Sequence, residues 1–82
     1  MDKVEIYSSP NCKYCDMAKD FLDNLGEHYE VIDIVETPSG REFLVSQGLR
    51  SVPQIWINDH HVGGYDLLLN YYMNQQDKEL QA

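Results

Sequence analysis

Cys12 and Cys15 are the only cysteines in a chain of 82 residues, and they stand two residues apart in the run Cys12-Lys13-Tyr14-Cys15. Around them the sequence reads as a βα unit. Val4-Glu5-Ile6-Tyr7 has the composition of a strand, Ser8-Ser9-Pro10-Asn11 that of a loop, and the residues from Lys13 onward that of a helix. Cys12 is therefore expected at a helix N-terminus, where unpaired backbone N–H groups and the positive end of the macrodipole favour thiolate over thiol. Cys15, nearly one turn further in, is the natural resolving thiol. Other uses of the pair fit less well. A structural zinc site needs four ligands, and the scattered His28, His60 and His61 do not make the usual second ligand pair. A structural disulfide would close a very small loop and constrain little of the unfolded chain. Two incidental buried thiols stay open as the bland alternative to redox chemistry.

Size and charge narrow the rest. With 82 residues, 43% of them hydrophobic, one domain over residues 1–82 with a small core is expected. There is no run of about eighteen apolar residues, so no membrane span is expected. The start, Met1-Asp2-Lys3-Val4, lacks the long apolar region of a signal peptide, which makes the reducing cytoplasm the expected compartment. There, a close cysteine pair is catalytic more often than structural. Fourteen acids against six bases give a net charge of -8. Such a surface repels phosphate backbones, so no nucleic-acid partner is expected. A preference for basic protein partners is the sharper reading of that charge, and solubility the plainer one.

The first strand, Lys3 to Tyr7, is nearly continuously apolar, as a central strand is. The first helix, Lys13 to Leu25, carries Tyr14, Met17, Ala18, Phe21, Leu22 and Leu25 at the spacing of one buried stripe, and Gly26 supplies its stop. A β-branched run from Tyr29 to Val35 predicts a buried second strand, parallel to the first across a helical crossover. Thr37-Pro38 predicts a helix N-cap and first helical position. That helix runs to about Gln47, buries Phe43 and Leu44, and ends at Gly48. Gln54 to Ile57 and His60 to Gly63, joined by Asn58-Asp59, predict a hairpin. Gly63-Gly64 opens a last helix from Tyr65 to about Met73, and the polar tail from Asn74 is expected to fray. The order β-α-β-α-β-β-α implies an α/β fold: a four-stranded mixed sheet with helices on both faces.

A Cys-x-x-Cys opening a helix, Ser51-Val52-Pro53-Gln54-Ile55-Trp56-Ile57 before a hairpin, and Gly63-Gly64-Tyr65-Asp66 before the last helix together resemble the glutaredoxin family, in its order and near its spacing. The resemblance covers nearly the whole chain. It implies a thioredoxin-like fold and a monomeric, glutathione-dependent thiol-disulfide oxidoreductase without a tightly bound cofactor. Its substrates would be protein disulfides and protein–glutathione mixed disulfides, and ribonucleotide reductase is an implied client. By the same resemblance Cys12 is the nucleophile and Cys15 the resolving cysteine. Tyr14 packs beside glutathione, and Ser51, Val52 and Pro53 form a backbone clamp with a cis bond before the proline. Gly64, Tyr65 and Asp66 receive the γ-glutamyl end, through helix N-terminal amides and the Asp carboxylate. On the residues alone, Pro53 reads as a strand-entry proline, Asp66 as a first-turn helix acid and Tyr65 as a packing residue.

The chain departs from the family pattern at three places. Lys13 stands where proline is common, Ser9 occupies the region of a frequent lysine before the motif, and Leu67 follows Asp66 where a second acid is frequent. Arg41 or Arg50 are candidates to replace the missing lysine as an anchor for a glutathione carboxylate; both also read as surface charges. Two further readings remain: a redoxin served by thioredoxin reductase, and a carrier of an iron–sulfur cluster held between two subunits with glutathione.

Overall fold

The computed structural model describes the backbone of residues 2–81 and the side chains of residues 2–74. Four strands, β1 (Val4–Ser8), β2 (Glu30–Asp33), β3 (Gln54–Ile57) and β4 (His60–Gly63), form one sheet in the order β2-β1-β3-β4. The first pair is parallel and the other two antiparallel, so the sheet is mixed. Between and after the strands come α1 (Lys13–Leu25), α2 (Pro38–Ser46) and α3 (Tyr65–Gln81). The element order, the central place of β1 and the parallel β1–β2 pair are as the sequence predicts.

Alternation along the strands decides which helix goes where. Val4 pairs with Ile57 and Ile6 with Ile55, and these four side chains share one face. They join Ala18 and Leu22 of α1 and Leu68 of α3 in the buried core. Glu5 pairs with Trp56 and Tyr7 with Gln54, which turns them to the opposite face. There Phe43 of α2 lies 5.4 Å from Tyr7 and 5.1 Å from Trp56, ring centre to ring centre. Gly40 lets α2 come this close: a Cβ on it would lie 2.7 Å from the Ile32 methyl.

Some expectations need correction. The second strand is an edge strand, paired with β1 alone, so Val31 is 43% exposed rather than buried. It also ends early. The Asp33 carboxylate accepts the N–H groups of Val35 at 2.8 Å and Glu36 at 3.1 Å, which turns the chain out of the ladder before Val35. In α1 the buried line runs Cys15, Ala18, Leu22, while Tyr14 and Leu25 are exposed. Tyr14 is in the first turn, where the helix rims a groove, and Leu25 is the last helical residue. Of the two α2 residues expected inside, Leu44 is buried; Phe43 keeps a solvent edge while stacking on the sheet. Thr37 is the N-cap without a side-chain cap bond. The last helix runs through Gln81 instead of stopping near Met73, since the Gln, Lys, Glu and Leu of the tail are good helix formers.

Phe21 of α1 and Tyr71 and Tyr72 of α3 pack beside the core, Phe21 edge-on to Tyr72. The Tyr72 hydroxyl is buried with no hydrogen-bond partner among the described residues. Loss of hydration pushes its pKa from 10.0 up to about 12, and the negative charges of Glu27 and Asp2 push the same way. An unfolded chain therefore releases this proton near pH 10, while the folded one keeps it to about pH 12. Between those values the native state binds more protons, so stability falls as pH rises. Denaturant melts from pH 9 to 12 should show that fall, and Tyr72→Phe should flatten it.

Candidate functional site

Asn11, with φ at +58°, turns the chain sharply just before α1 and leaves Cys12 at the N-cap. Asn is one of the few residues that adopts this conformation at modest cost. The Cys12 carbonyl accepts the Asp16 N–H at 3.1 Å, and Cys12 Sγ accepts the Cys15 N–H at 3.2 Å. The sulfur thus occupies the place of a capping oxygen, as the sequence predicts. Cys12 and Cys15 are joined as a disulfide, their Cα atoms 5.2 Å apart. The two sulfurs are not equivalent: Cys15 is fully buried on the inner face of α1, whereas Cys12 is only partly covered.

Cys12 Sγ lies 3.7 Å from the carbonyl oxygen of Val52, and the bond between Val52 and Pro53 is cis. Beside this contact a groove of about 210 Å³ is lined by Tyr14, Val52, Pro53, Gly64, Tyr65 and Asp66. Its walls come from three separate parts of the chain. The first turn of α1 gives Tyr14, the loop into β3 gives Val52 and Pro53, and the start of α3 gives the rest. Tyr14 and Tyr65 face each other with ring centres 6.0 Å apart. A Cβ on Gly64 would stand 3.5 Å from the Pro53 carbonyl oxygen, an ordinary contact distance.

Ser51 is placed differently from its neighbours. It lines a second, larger cavity of about 360 Å³ on the other side of Val52, together with Ile34, Leu44 and the two arginines, Arg41 and Arg50. Neither arginine has a carboxylate within ion-pair distance among the described residues; the recorded ion pairs both belong to Lys3. Sequence reasoning missed Gln54 and His61. Gln54 is buried, its Nε2 donates to Ser51 Oγ at 3.3 Å, and its Oε1 is 2.9 Å from His61 Nε2. The hairpin register opposes His61 to Trp56, so no sequence signal pairs it with Gln54. No group of three or more His, Cys, Asp or Glu side chains among the described residues is arranged to hold a metal ion.

Comparison with known proteins agrees with this geometry. The family model described as Glutaredoxin matches residues 4–62, which is more than half of the chain. The chain belongs to the glutaredoxin family. Glutaredoxin 3 of Escherichia coli K12 is 37% identical over 67 residues, covering 80% of this chain and 81% of that protein. Among solved structures, the buckwheat glutaredoxin–glutathione complex matches with a TM-score of 0.77 at 27% identity, over 90% of this chain and 71% of that one. The glutaredoxin-like NrdH-redoxin of Escherichia coli, described as having a thioredoxin-like activity profile, matches with a TM-score of 0.75 at 27% identity, over 83% and 92%. The fold is therefore thioredoxin-like, and the cysteine pair of this family member is the redox-active centre of a thiol-disulfide oxidoreductase. Among the described residues no helix is long and apolar enough to cross a membrane.

Proposed function

We propose that residues 1–82 form a single glutaredoxin domain that acts as a cytoplasmic monomer and reduces protein disulfides and glutathione mixed disulfides at the expense of glutathione. The observation that carries this reading is the groove beside Cys12. It combines two facing tyrosine rings, a backbone edge at Val52 and the N-terminus of α3 with its Asp66 carboxylate. A tripeptide thiol with an ammonium and two carboxylates matches that set. The rings flank its body, the Val52 backbone pairs with its cysteine, and the α3 amides take a carboxylate while Asp66 accepts from the ammonium. The buckwheat relative, whose structure is a glutathione complex, supports the same ligand here.

In the reduced enzyme the Cys12 thiolate attacks one sulfur of the substrate disulfide. The Cys12–substrate mixed disulfide forms and the other substrate sulfur leaves as a thiolate. Cys15 then gives up its proton and attacks Cys12 Sγ. That releases the second substrate thiolate and leaves the Cys12–Cys15 disulfide found in the structure. One glutathione thiolate opens this bond to a Cys12–glutathione disulfide, and a second displaces it as oxidised glutathione. A glutathionylated protein enters at the last stage by handing its glutathione to Cys12. Ribonucleotide reductase is a client of the first kind.

A redoxin drawing electrons from thioredoxin reductase is the second reading, favoured by the likeness to the NrdH-redoxin structure. The two separate in one assay. Reduction of a small glutathione mixed disulfide should run with glutathione, glutathione reductase and NADPH, and should stall with thioredoxin reductase and NADPH alone. Turnover in the second mixture only would overturn the proposal.

A further inference from the structure

Gln54 has no evident packing reason to be polar. It is the first residue of β3, 7% exposed, in a strand whose other residues are Ile55, Trp56 and Ile57. Apart from Ser8 it is the only buried polar side chain among the described residues. A buried amide without partners is destabilising, and an apolar side chain of similar volume packs as well. The amide is satisfied at both ends. One end reaches Ser51 and the other His61, whose ring lies 4.5 Å from that of Trp56. Ser51 and Val52 sit on a loop, and no other hydrogen bond to protein N or O atoms holds either residue among the described residues. Apart from its chain connection through Pro53 and the Cys12 contact, the backbone edge that faces Cys12 is thus tied to the sheet by hydrogen bonding through one side chain.

We infer that Gln54 is a positioning residue: with His61 it fixes Ser51, and so sets the Val52 backbone at the register in which it pairs with the cysteine of a disulfide substrate. The inference rests on the proposed use of Val52 as a substrate clamp. Gln54 touches no reacting atom, so its loss alters how the substrate is held, not how fast a correctly held sulfur is attacked. With the Nε2 proton of His61 aimed at Gln54 Oε1, the amide is oriented to give its own proton to Ser51, which fixes the direction of the whole chain of bonds.

The test uses the full chain with a glutathionylated peptide as substrate and glutathione as reductant, in wild type, Gln54→Met and His61→Phe. Methionine keeps the volume and loses both bonds; phenylalanine keeps a ring on Trp56 and loses one. In each variant KM for the peptide should rise about five- to tenfold for the lost hydrogen bonding, with kcat within about twofold of wild type. The backbone NMR order parameter of Val52 should fall, while those of the α1 core stay unchanged. Wild-type KM with a wild-type Val52 order parameter overturns the inference, as does a fall in kcat at unchanged KM. Should Gln54→Met fail to fold, His61→Phe, altered at an exposed position, decides alone. No glutathione-dependent turnover by wild type would instead defeat the functional proposal and leave the order-parameter measurement to judge the tether.

Discussion

Cys12→Ser is expected to lose both protein-disulfide reduction and deglutathionylation, whereas Cys15→Ser is expected to lose the first and keep the second. The difference comes from access. Cys15 is fully buried and Cys12 is only partly covered, beside the groove, so only Cys12 can meet a substrate sulfur. Serine at position 12 is a poor nucleophile at neutral pH and cannot form the mixed disulfide. Loss of a nucleophile costs an enzyme roughly a thousandfold or more. Serine at position 15 removes the group that attacks Cys12 from within. A protein mixed disulfide then has no internal exit, but glutathione from solution still reaches Cys12. Mass spectrometry after mixing Cys15→Ser with oxidised glutathione should find one glutathione on the protein; none should be found on Cys12→Ser. Deglutathionylation by Cys12→Ser at the wild-type rate would refute the assignment of the nucleophile.

The part of this site that the sequence made legible is the part set by short-range chemistry. Two cysteines at this spacing, an Asn before them and a helical pattern after them are enough to put a sulfur on a helix N-terminus. A helix end lacks N–H acceptors whatever surrounds it. The parallel β1–β2 pair, the β3–β4 hairpin and the two helical layers also follow from alternation and connection length. Burial in β2 was not legible, because β-branched residues favour an extended backbone at an edge as well as at the centre. Nor was its early end, which depends on one Asp33 carboxylate taking two N–H groups from the residues after it. The convergence of Tyr14, Val52, Pro53 and Tyr65 on one groove was suggested only by family resemblance, since no periodicity relates positions so far apart in the chain. Gln54 was hidden for the opposite reason: strand propensity says nothing about an amide whose partners lie on a loop and on the next strand.

Gly63→Ala tests how the groove depends on the junction between β4 and α3. Gly63 holds φ at +123°, a region that side-chain-bearing residues rarely enter, and its added Cβ would collide with the side chain of Leu67 in the first turn of α3. Gly26 offers a control: it also has a positive φ, +74°, yet a Cβ there meets nothing within 4 Å. Gly26→Ala therefore carries backbone strain alone, about 1 kcal/mol for this left-handed region. Gly63→Ala carries strain of order 1–3 kcal/mol at its less accessible φ, and a clash besides. For a small domain with about 5–10 kcal/mol in total, that is a loss of several degrees in Tm at least. The functional effect should diverge further. The exposed Leu67 side chain can swing clear of the new Cβ, but relief of the strain at φ +123° shifts the backbone at residue 63 and carries Gly64, Tyr65 and Asp66 with it, so KM for a glutathione mixed disulfide should rise about tenfold in Gly63→Ala. Gly26, at the far end of α1, lies outside the groove, and its variant should lower Tm while leaving KM as it is. Equal KM in the two variants would mean that the α3 N-terminus takes no part in holding the substrate.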